Sequence, residues 1–247
     1  MNSLDRLKAQ FEVMEDIVAK VASGDLRGLI ITGPAGIGKT HNVLKVLNNY
    51  QSAVAPLIGV DAEIEVCAGH MTTVGLVQAL WRNRKDANTL VLDDIDTVLD
   101  TLDAVNILKA ALDTGSQRNV SYMTQNAALR KAGIPQHFPY NGSVILITNQ
   151  DMQNSKGKMA PHFKALVSRC FYFDLGFEGR NDCMTWIQHV SESSGMLGDE
   201  KKTTDILRYM KQNLPDIREL SLRTAVKLAS IYGPGWKEVA NFTVLTQ

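Results

Sequence analysis

The residues best suited to chemistry form a glycine-rich run that ends in Lys-Thr. Gly33-Pro-Ala-Gly-Ile-Gly-Lys-Thr40, called the glycine loop below, follows an apolar run and precedes a helical pattern. Glycines allow the backbone to approach a phosphate closely, and a helix N-terminus attracts anions. The lysine adds a positive charge, and the threonine hydroxyl is a magnesium ligand. This spacing predicts phosphate binding by Gly33, Pro34, Ala35, Gly36, Ile37, Gly38, Lys39 and Thr40, with His41 next to them; the alternative is an ordinary glycine-rich turn.

A pair of acids supplies a second candidate site downstream. Asp93 and Asp94 directly follow the apolar run Leu90–Leu92. The carboxyl ends of parallel strands meet at one edge of a sheet, where ligands bind in open α/β folds. We therefore expect Asp93 to hold a metal ion and Asp94 to position or deprotonate an attacking water. The alternative is a solvated acidic strand end.

Both candidate sites depend on strands that alternate with helices. Short apolar runs predict strands and 3.6-residue periods predict helices, which implies a three-layer αβα domain over residues 1–178 with a mostly parallel sheet. Beyond Gly176 and Gly179 the pattern is helical only, which predicts a small all-α lid over residues 179–247. The polar segment 114–141 is either functional or partly structured. The predicted strands are 29–32, 64–68, 89–92, 143–148 and 170–175, and the predicted helices before the lid are 4–21, 40–49, 74–84 and 104–112.

Composition excludes several function classes. Lys+Arg and Asp+Glu number 26 each in 247 residues, so no overall charge attracts the chain to nucleic acid or a membrane surface. We find no apolar run long enough to span a bilayer and no signal-peptide core near residue 1, and so expect a cytoplasmic protein without a membrane partner. The three cysteines lack a CxxC pair and the five histidines are scattered, which favours reduced thiols and no His/Cys metal centre.

The motifs together resemble those of the AAA+ ATPases, and the resemblance covers nearly the whole chain. "GPAGIGKT" resembles the Walker A motif of these P-loop proteins, and "LVLDDID" resembles Walker B. "SVILITNQ" resembles the sensor 1 strand with Asn149 at its tip. "HFKALVSRC" resembles the arginine-finger segment with Arg169, and "LSLRTAVKL" resembles the sensor 2 helix with Arg223. The stretch from Asp93 to Thr114 further resembles phage-encoded AAA+ proteins.

The resemblance implies an activity, cofactors and partners. It implies ATP and Mg²⁺ as cofactors, with Thr40 and Asp93 as metal ligands. It implies catalytic roles for Asp94, Asn149, Arg169 and Arg223, with Arg169 acting on the site of a neighbouring subunit. The implied assembly is a homo-oligomeric ring, with a hexamer favoured, that uses ATP hydrolysis to remodel a protein or nucleic-acid partner. A phage-encoded member would act in the host cytoplasm.

One departure from the family pattern leaves a second function open. The second Walker B acid is usually Glu, whereas this chain has Asp94, whose side chain is one methylene shorter. Hydrolysis could then be slow, which motivates a nucleotide-gated scaffold or loader that ATP binding assembles with little turnover. A small-molecule kinase fits less well, because it does not need a helical domain that carries a sensor-like arginine.

Several individual assignments also have structural alternatives. Arg169 could be a surface arginine, Arg223 a solvated lid charge, and Asn149 a residue that turns the chain at a strand end. His70 and Met71 could line a pore, or the loop could simply connect strand to helix with Thr72 or Thr73 as the cap. Arg118 could face a subunit or substrate, or be solvated, which we favour.

Overall fold

Strands and helices alternate along the first two thirds of the chain, as the periodicities predict. The computed structural model describes residues 2–246. Its strands are β1 Gly28–Thr32, β2 Ile64–Ala68, β3 Thr89–Asp93, β4 Asn119–Ser121, β5 His137–Pro139, β6 Ser143–Ile147 and β7 Phe171–Asp174. Its α-helices are α1 Ser3–Ala22, α2 Lys39–Asn49, α3 Thr73–Arg82, α4 Asp96–Leu99, α5 Leu102–Ala111, α6 Ala127–Lys131, α7 Ala160–Val167, α8 Arg180–Ser194, α9 Glu200–Gln212, α10 Leu222–Ile231 and α11 Trp236–Val244.

The main sheet has five parallel strands in the order β2-β3-β6-β1-β7. Every residue of β1 and β6 is buried. Central parallel strands are covered on both faces, so they read as continuous apolar runs rather than as alternating patterns. Helices pack around these strands in a core that includes Leu80, Val105 and Leu166. The predicted α/β fold with a parallel sheet is thus confirmed.

The chain divides into two compact units. The sheet unit contains residues 13–33 and 39–174, and the helical unit contains residues 2–12, 34–38 and 175–246. The helical unit has its own apolar core, which includes Ile187, Ile206, Met210 and Leu228 from three of its helices. This core explains why α8 to α11 form without a covering sheet. A boundary between residues 178 and 179 remains a proposal.

The polar segment 114–141 is partly structured. Strands β4 and β5 form an antiparallel pair, with α6 between them. Arg118 at its base is only 7% exposed, and its guanidinium donates to the carbonyl oxygens of Ala111, Asn141 and Gly142. Both expectations for Arg118, a partner contact and a solvated charge, are therefore wrong. The Arg118 side chain stabilises the base of the β4–β5 hairpin, because the N–H donors of its planar guanidinium are arranged to bond three backbone carbonyls.

Candidate functional site

The glycine loop connects the end of β1 to the start of α2. Gly33, Gly36 and Gly38 have φ angles of 146°, 67° and 97°, a region that side chains with a Cβ disfavour. Ile37 between them is buried, with 1% of its surface exposed. The three glycines are thus explained by backbone conformation, and the loop ends directly in the first turn of a helix. His41 lies in that helix and is exposed.

Lys39 lies buried at the start of α2. Only 6% of its surface is exposed. Its Nζ donates to the Gly33 carbonyl at 2.8 Å and to Asn149 Oδ1 at 2.7 Å. Burying an ammonium group is costly unless it finds hydrogen-bond acceptors. The ammonium therefore bridges the first residue of the glycine loop and the turn after β6.

Thr40 and Asp93 form the oxygen pair that the sequence predicts. The Thr40 hydroxyl lies 2.9 and 3.0 Å from the two carboxylate oxygens of Asp93, the last residue of β3. Magnesium in nucleotide sites takes one or two protein oxygens and completes its shell with phosphates and waters. A hydroxyl and a carboxylate in contact fit this requirement, so these two residues are suited to hold Mg²⁺.

Asp94 and Asn149 meet at the carboxyl edge of the sheet. Asn149 Nδ2 donates to Asp94 Oδ1 at 3.0 Å, while the side-chain oxygen Oδ1 of Asn149 accepts from Lys39. Asp94 has a φ of 50° and its N–H donates to the carbonyl of Ile147. A non-glycine residue in this left-handed region carries strain, which is typical of functional turns. The exposed carboxylate of Asp94 is held by an amide, a geometry suited to orienting a water.

Arg169 lies elsewhere on the sheet unit. Its Nη1 donates to the Ala165 carbonyl at 2.6 Å, and its Nε lies 3.5 Å from Asp113 Oδ1. Arg27, which directly precedes β1, donates to the carbonyl of the same Asp113. Arg169 is therefore at the amino edge of the sheet, whereas Lys39, Asp94 and Asn149 are at the carboxyl edge.

Arg223 belongs to the helical unit, as the second residue of α10. It is exposed, and its Cγ would lie 3.7 Å from a Cβ added at Gly36. The N–H of Leu222, one residue before it, donates to the Gly36 carbonyl at 2.9 Å. Its stem thus lies beside the middle of the glycine loop.

The loop before α3 has a structural role. The Thr72 hydroxyl caps α3 by accepting from the N–H of Gly75, and the Thr97 hydroxyl bonds both the N–H and the carbonyl of Met71. His70 is exposed. Of the two readings of this loop, the structure supports the connection with Thr72 as the cap.

The cysteines have no suitable environment for nucleophilic chemistry. Burial is the main cause that raises the pKa values of Cys67, Cys170 and Cys183, to about 12 for Cys170. All three are free thiols. A thiol with a raised pKa stays protonated at neutral pH and is a poor nucleophile, which agrees with the expectation of reduced thiols.

Sequence reasoning missed one residue that contacts the glycine loop. The indole Nε1–H of Trp186 in α8 donates to the carbonyl of Ile37 at 2.9 Å. Its ring stacks on Phe11 of α1, with centroids 4.1 Å apart and an interplanar angle of 8°. A single tryptophan on the apolar face of a helix is indistinguishable from a core residue, so the sequence carried no signal for this contact.

The chain is similar in sequence to a phage protein. An uncharacterized 36.7 kDa protein from the nrdC-mobD intergenic region of Enterobacteria phage T4 is 37% identical over 245 residues. The match covers 95% of this chain and 73% of the phage protein. No family model matches the chain.

Solved structures with the same fold include replication initiators. Domain III of the Thermotoga maritima replication initiation protein DnaA has a TM-score of 0.51 at 14% identity, over 94% of this chain and 84% of that one. The Aeropyrum pernix ORC1 protein, solved in complex with DNA, has a TM-score of 0.52 at 13% identity, over 97% and 62%. At such identities the likeness describes the fold alone.

Proposed function

We propose that this chain, which belongs to the same family as an uncharacterized phage T4 protein, is an ATPase of the AAA+ type that binds Mg·ATP and hydrolyses it. The observation that carries this proposal is the hydrogen-bonded network at the carboxyl edge of the sheet. Lys39 bonds Asn149, Asn149 bonds Asp94, and Thr40 bonds Asp93. Residues from three separate segments thus converge on the start of α2, which supports a role in phosphoryl transfer to water.

Binding of the triphosphate is assigned to the glycine loop. Its N–H groups and the positive end of α2 would face the phosphate oxygens. Lys39 would exchange its contact with Asn149 for a phosphate oxygen, and Thr40 and Asp93 would hold Mg²⁺. When bound, Mg²⁺ would neutralise negative charge on the triphosphate.

Hydrolysis is assigned to Asp94 and Asn149. Once Lys39 engages phosphate, the side-chain oxygen Oδ1 of Asn149 loses its contact with Lys39. It would then be available to accept a hydrogen bond from the attacking water and so orient it. The Asp94 carboxylate, held by that same amide at 3.0 Å, would accept the proton of the water. A general base in this position contributes on the order of 10²–10⁴ to the rate.

Two arginines complete the proposal. Arg169, at the amino edge of the sheet, cannot reach the carboxyl edge of its own chain, so it would act on the site of a neighbouring subunit. Head-to-tail contacts of this kind close into a ring, for which we favour a hexamer. An arginine supplied in trans is worth roughly 10³–10⁵ in rate. Arg223 would report the γ-phosphate to the helical unit.

The primary test measures phosphate release at saturating Mg·ATP. We expect the wild type to release phosphate at least about tenfold faster than a Lys39→Ala variant, which loses the phosphate contact. Lys45→Ala is the matched control, since Lys45 is an exposed lysine of the same helix whose ammonium lies 3.5 Å from Glu15. Equal rates for the wild type and Lys39→Ala would contradict the hydrolase.

The trans role of Arg169 has a separate test. Arg169→Ala and Lys39→Ala chains are each expected to be inactive. Their mixture should regain activity, because some interfaces then combine an intact Arg169 with an intact Lys39. No recovery at any ratio, in rings shown to be mixed, would refute the assignment.

A nucleotide-gated scaffold is the second candidate, and Asp94 in place of the usual glutamate is the observation that favours it. In that case ATP would assemble the oligomer while the wild type releases phosphate no faster than Lys39→Ala. Light scattering with and without ATP, run beside the phosphate assay, separates the two functions.

The remodelled partner is proposed by class only. A nucleic acid is one candidate, because the ORC1 relative in fold was solved with DNA, and a protein is the other. Stimulation of phosphate release by single- or double-stranded DNA would favour the first. Within residues 2–246 no helix is long and apolar enough to cross a bilayer. The similarity to a phage protein supports a proposed activity in the host cytoplasm.

A further inference from the structure

The middle of the glycine loop is held by the helical unit through backbone carbonyls. Helix α10 begins after Ser221, whose hydroxyl accepts from the N–H of Thr224. The N–H of Leu222 belongs to the first helical turn and has no acceptor within the helix. It donates instead to the Gly36 carbonyl at 2.9 Å. The first turn of α10 thus uses the loop as its hydrogen-bond acceptor.

Trp186 holds the next carbonyl of the loop. Its indole Nε1–H donates to Ile37 at 2.9 Å in a buried environment, with 6% of Trp186 and 1% of Ile37 exposed. The stack on Phe11 fixes the plane of the indole. Adjacent carbonyls, Gly36 and Ile37, therefore have donors from two different helices of the helical unit.

The peptide geometry gives these two contacts a consequence for phosphate binding. Peptide groups are planar and trans, so the carbonyl of one residue and the N–H of the next point in opposite directions. No cis peptide bond occurs in the described residues. With the Gly36 and Ile37 carbonyls directed at α10 and α8, the N–H groups of Ile37 and Gly38 are directed to the opposite side of the loop.

We infer that Trp186 and the first turn of α10 are positioning elements for the phosphate-binding N–H groups of Ile37 and Gly38. A loop that contains three glycines has high conformational freedom, and fixing it costs entropy at the moment of binding. Two external hydrogen bonds reduce that freedom beforehand. The ligand would be a polyphosphate. This inference rests on the proposed function, and it adds that residues of the helical unit orient the glycine loop for that ligand.

The contact also leaves no room for a side chain in the loop. A Cβ at Gly36 would lie 2.6 Å from the Cβ of Ser221. The glycine is thus required by this packing as well as by its φ of 67°. Since Arg223 follows Leu222 directly, the proposed γ-phosphate sensor is anchored to the same part of the loop.

A Trp186→Phe variant tests the inference, because it removes the indole donor and retains an aromatic ring against Phe11. We expect its affinity for Mg·ATP, measured by isothermal titration calorimetry, to fall about three- to tenfold, the value of one net hydrogen bond. Trp236→Phe is the matched control. Trp236 is similarly buried in the helical unit, and its ring centroid lies 5.2 Å from that of Tyr209. Trp236→Phe should therefore lower the melting temperature without changing the affinity for Mg·ATP.

An NMR readout on the unmutated chain keeps the test valid if Trp186→Phe fails to fold. The three tryptophans give three indole N–H signals. On adding a non-hydrolysable ATP analogue with Mg²⁺, the Trp186 signal should shift more than those of Trp81 and Trp236, and Lys39→Ala should abolish the shift. An unchanged Trp186 signal in a chain that binds the analogue would overturn the inference, as would unchanged affinity in a folded Trp186→Phe. If the wild type binds no nucleotide, it is the proposed function that fails.

Discussion

The last two residues of the glycine loop and its middle work in different ways. At this end, within the sheet unit, Lys39 and Thr40 make side-chain contacts with Asn149 and Asp93. In the middle, within the helical unit, Gly36 and Ile37 contribute backbone carbonyls that Leu222 and Trp186 hold. One region uses the chemistry of its own side chains, and the other uses backbone groups whose direction is set by distant residues.

Some substitutions in this loop should therefore change its chemistry, and others should change its geometry. The side chains of Lys39 and Thr40 can be replaced one at a time, with losses in turnover. The backbone of the middle can be altered only through its packing, with losses in stability and in binding.

The largest effect is expected for the carboxylate of Asp94. Asp94→Asn should leave ATP affinity within about twofold and lower turnover by about 10²–10⁴, because the amide cannot accept a proton from water. Asp96→Asn, two residues further along and exposed, is the control and should retain turnover. Single-turnover phosphate release measures both. Turnover that survives in Asp94→Asn would move the role to another residue.

The second effect concerns the packing of the loop's middle. Gly36→Ala should cost about 2–4 kcal/mol of unfolding free energy, since a positive φ is disfavoured and the new methyl group would collide with Ser221. Gly24→Ala is a matched comparison. Gly24 has a φ of 83° but nothing within 4 Å of an added Cβ, so only the backbone cost of about 1–2 kcal/mol remains. Urea denaturation that gives equal costs for both would show that the helical unit does not constrain the loop.

A smaller effect should follow removal of the amide between Lys39 and Asp94. Asn149→Ala should lower turnover about tenfold, or about 1.4 kcal/mol, and leave the folded state intact. Asn154→Ala is the control, because Asn154 is exposed and donates to Asp151 within a turn away from Lys39 and Asp94. Steady-state kinetics that show a change in KM alone would instead assign Asn149 to substrate binding.

The smallest effect tests the support of Trp186 in the helical unit. Asp182, near the start of α8, accepts from Ser3 at 2.5 Å, from the Glu178 N–H and from Arg6. The Ser3 hydroxyl contributes most to holding the pKa of Asp182 below its ordinary value, against the opposing effect of burial. Asp182→Asn should lose about 1 kcal/mol of stability at pH 7.

The pH dependence of this difference follows from the direction of the shift. A carboxyl group with a lowered pKa stabilises the fold above the unfolded value of about 3.9, and that contribution disappears as the pH falls through the folded pKa. The gap between the wild type and Asp182→Asn should therefore narrow below about pH 4. Asp5→Asn, at an exposed acid of α1, is the control for loss of a carboxylate. A gap that is constant with pH would assign the effect to packing alone.

Most of the fold could be predicted because its signals are local. Apolar runs such as Leu90–Leu92 and Val144–Ile147 mark central strands by themselves, and the helices after Gly179 have clear periods. The prediction failed where a polar residue entered the interior. Arg118 was expected to face a partner or solvent, yet three carbonyls satisfy it in a buried turn, and such compensation depends on how the chain closes around it.

The candidate site likewise contains residues that the sequence predicted and one contact that it did not. Lys39, Thr40, Asp93, Asp94 and Asn149 were named from the sequence, and the structure brings all of them together. Their catalytic roles remain predictions. Trp186 was missed, since 149 residues separate it from Ile37 and only folding makes them neighbours.

The sequence by itself determined the parallel sheet, the glycine loop and the acidic strand end. These features depend on residue type and spacing within a few positions, and short-range periodicity and backbone freedom are properties of the chain alone. Only the tertiary structure decided which helices hold the loop's carbonyls, where Arg169 lies and how Arg118 is buried. The physical reason is that hydrogen-bond directions are set by groups brought together in space, and a backbone carbonyl leaves no mark in the sequence that would reveal its partner.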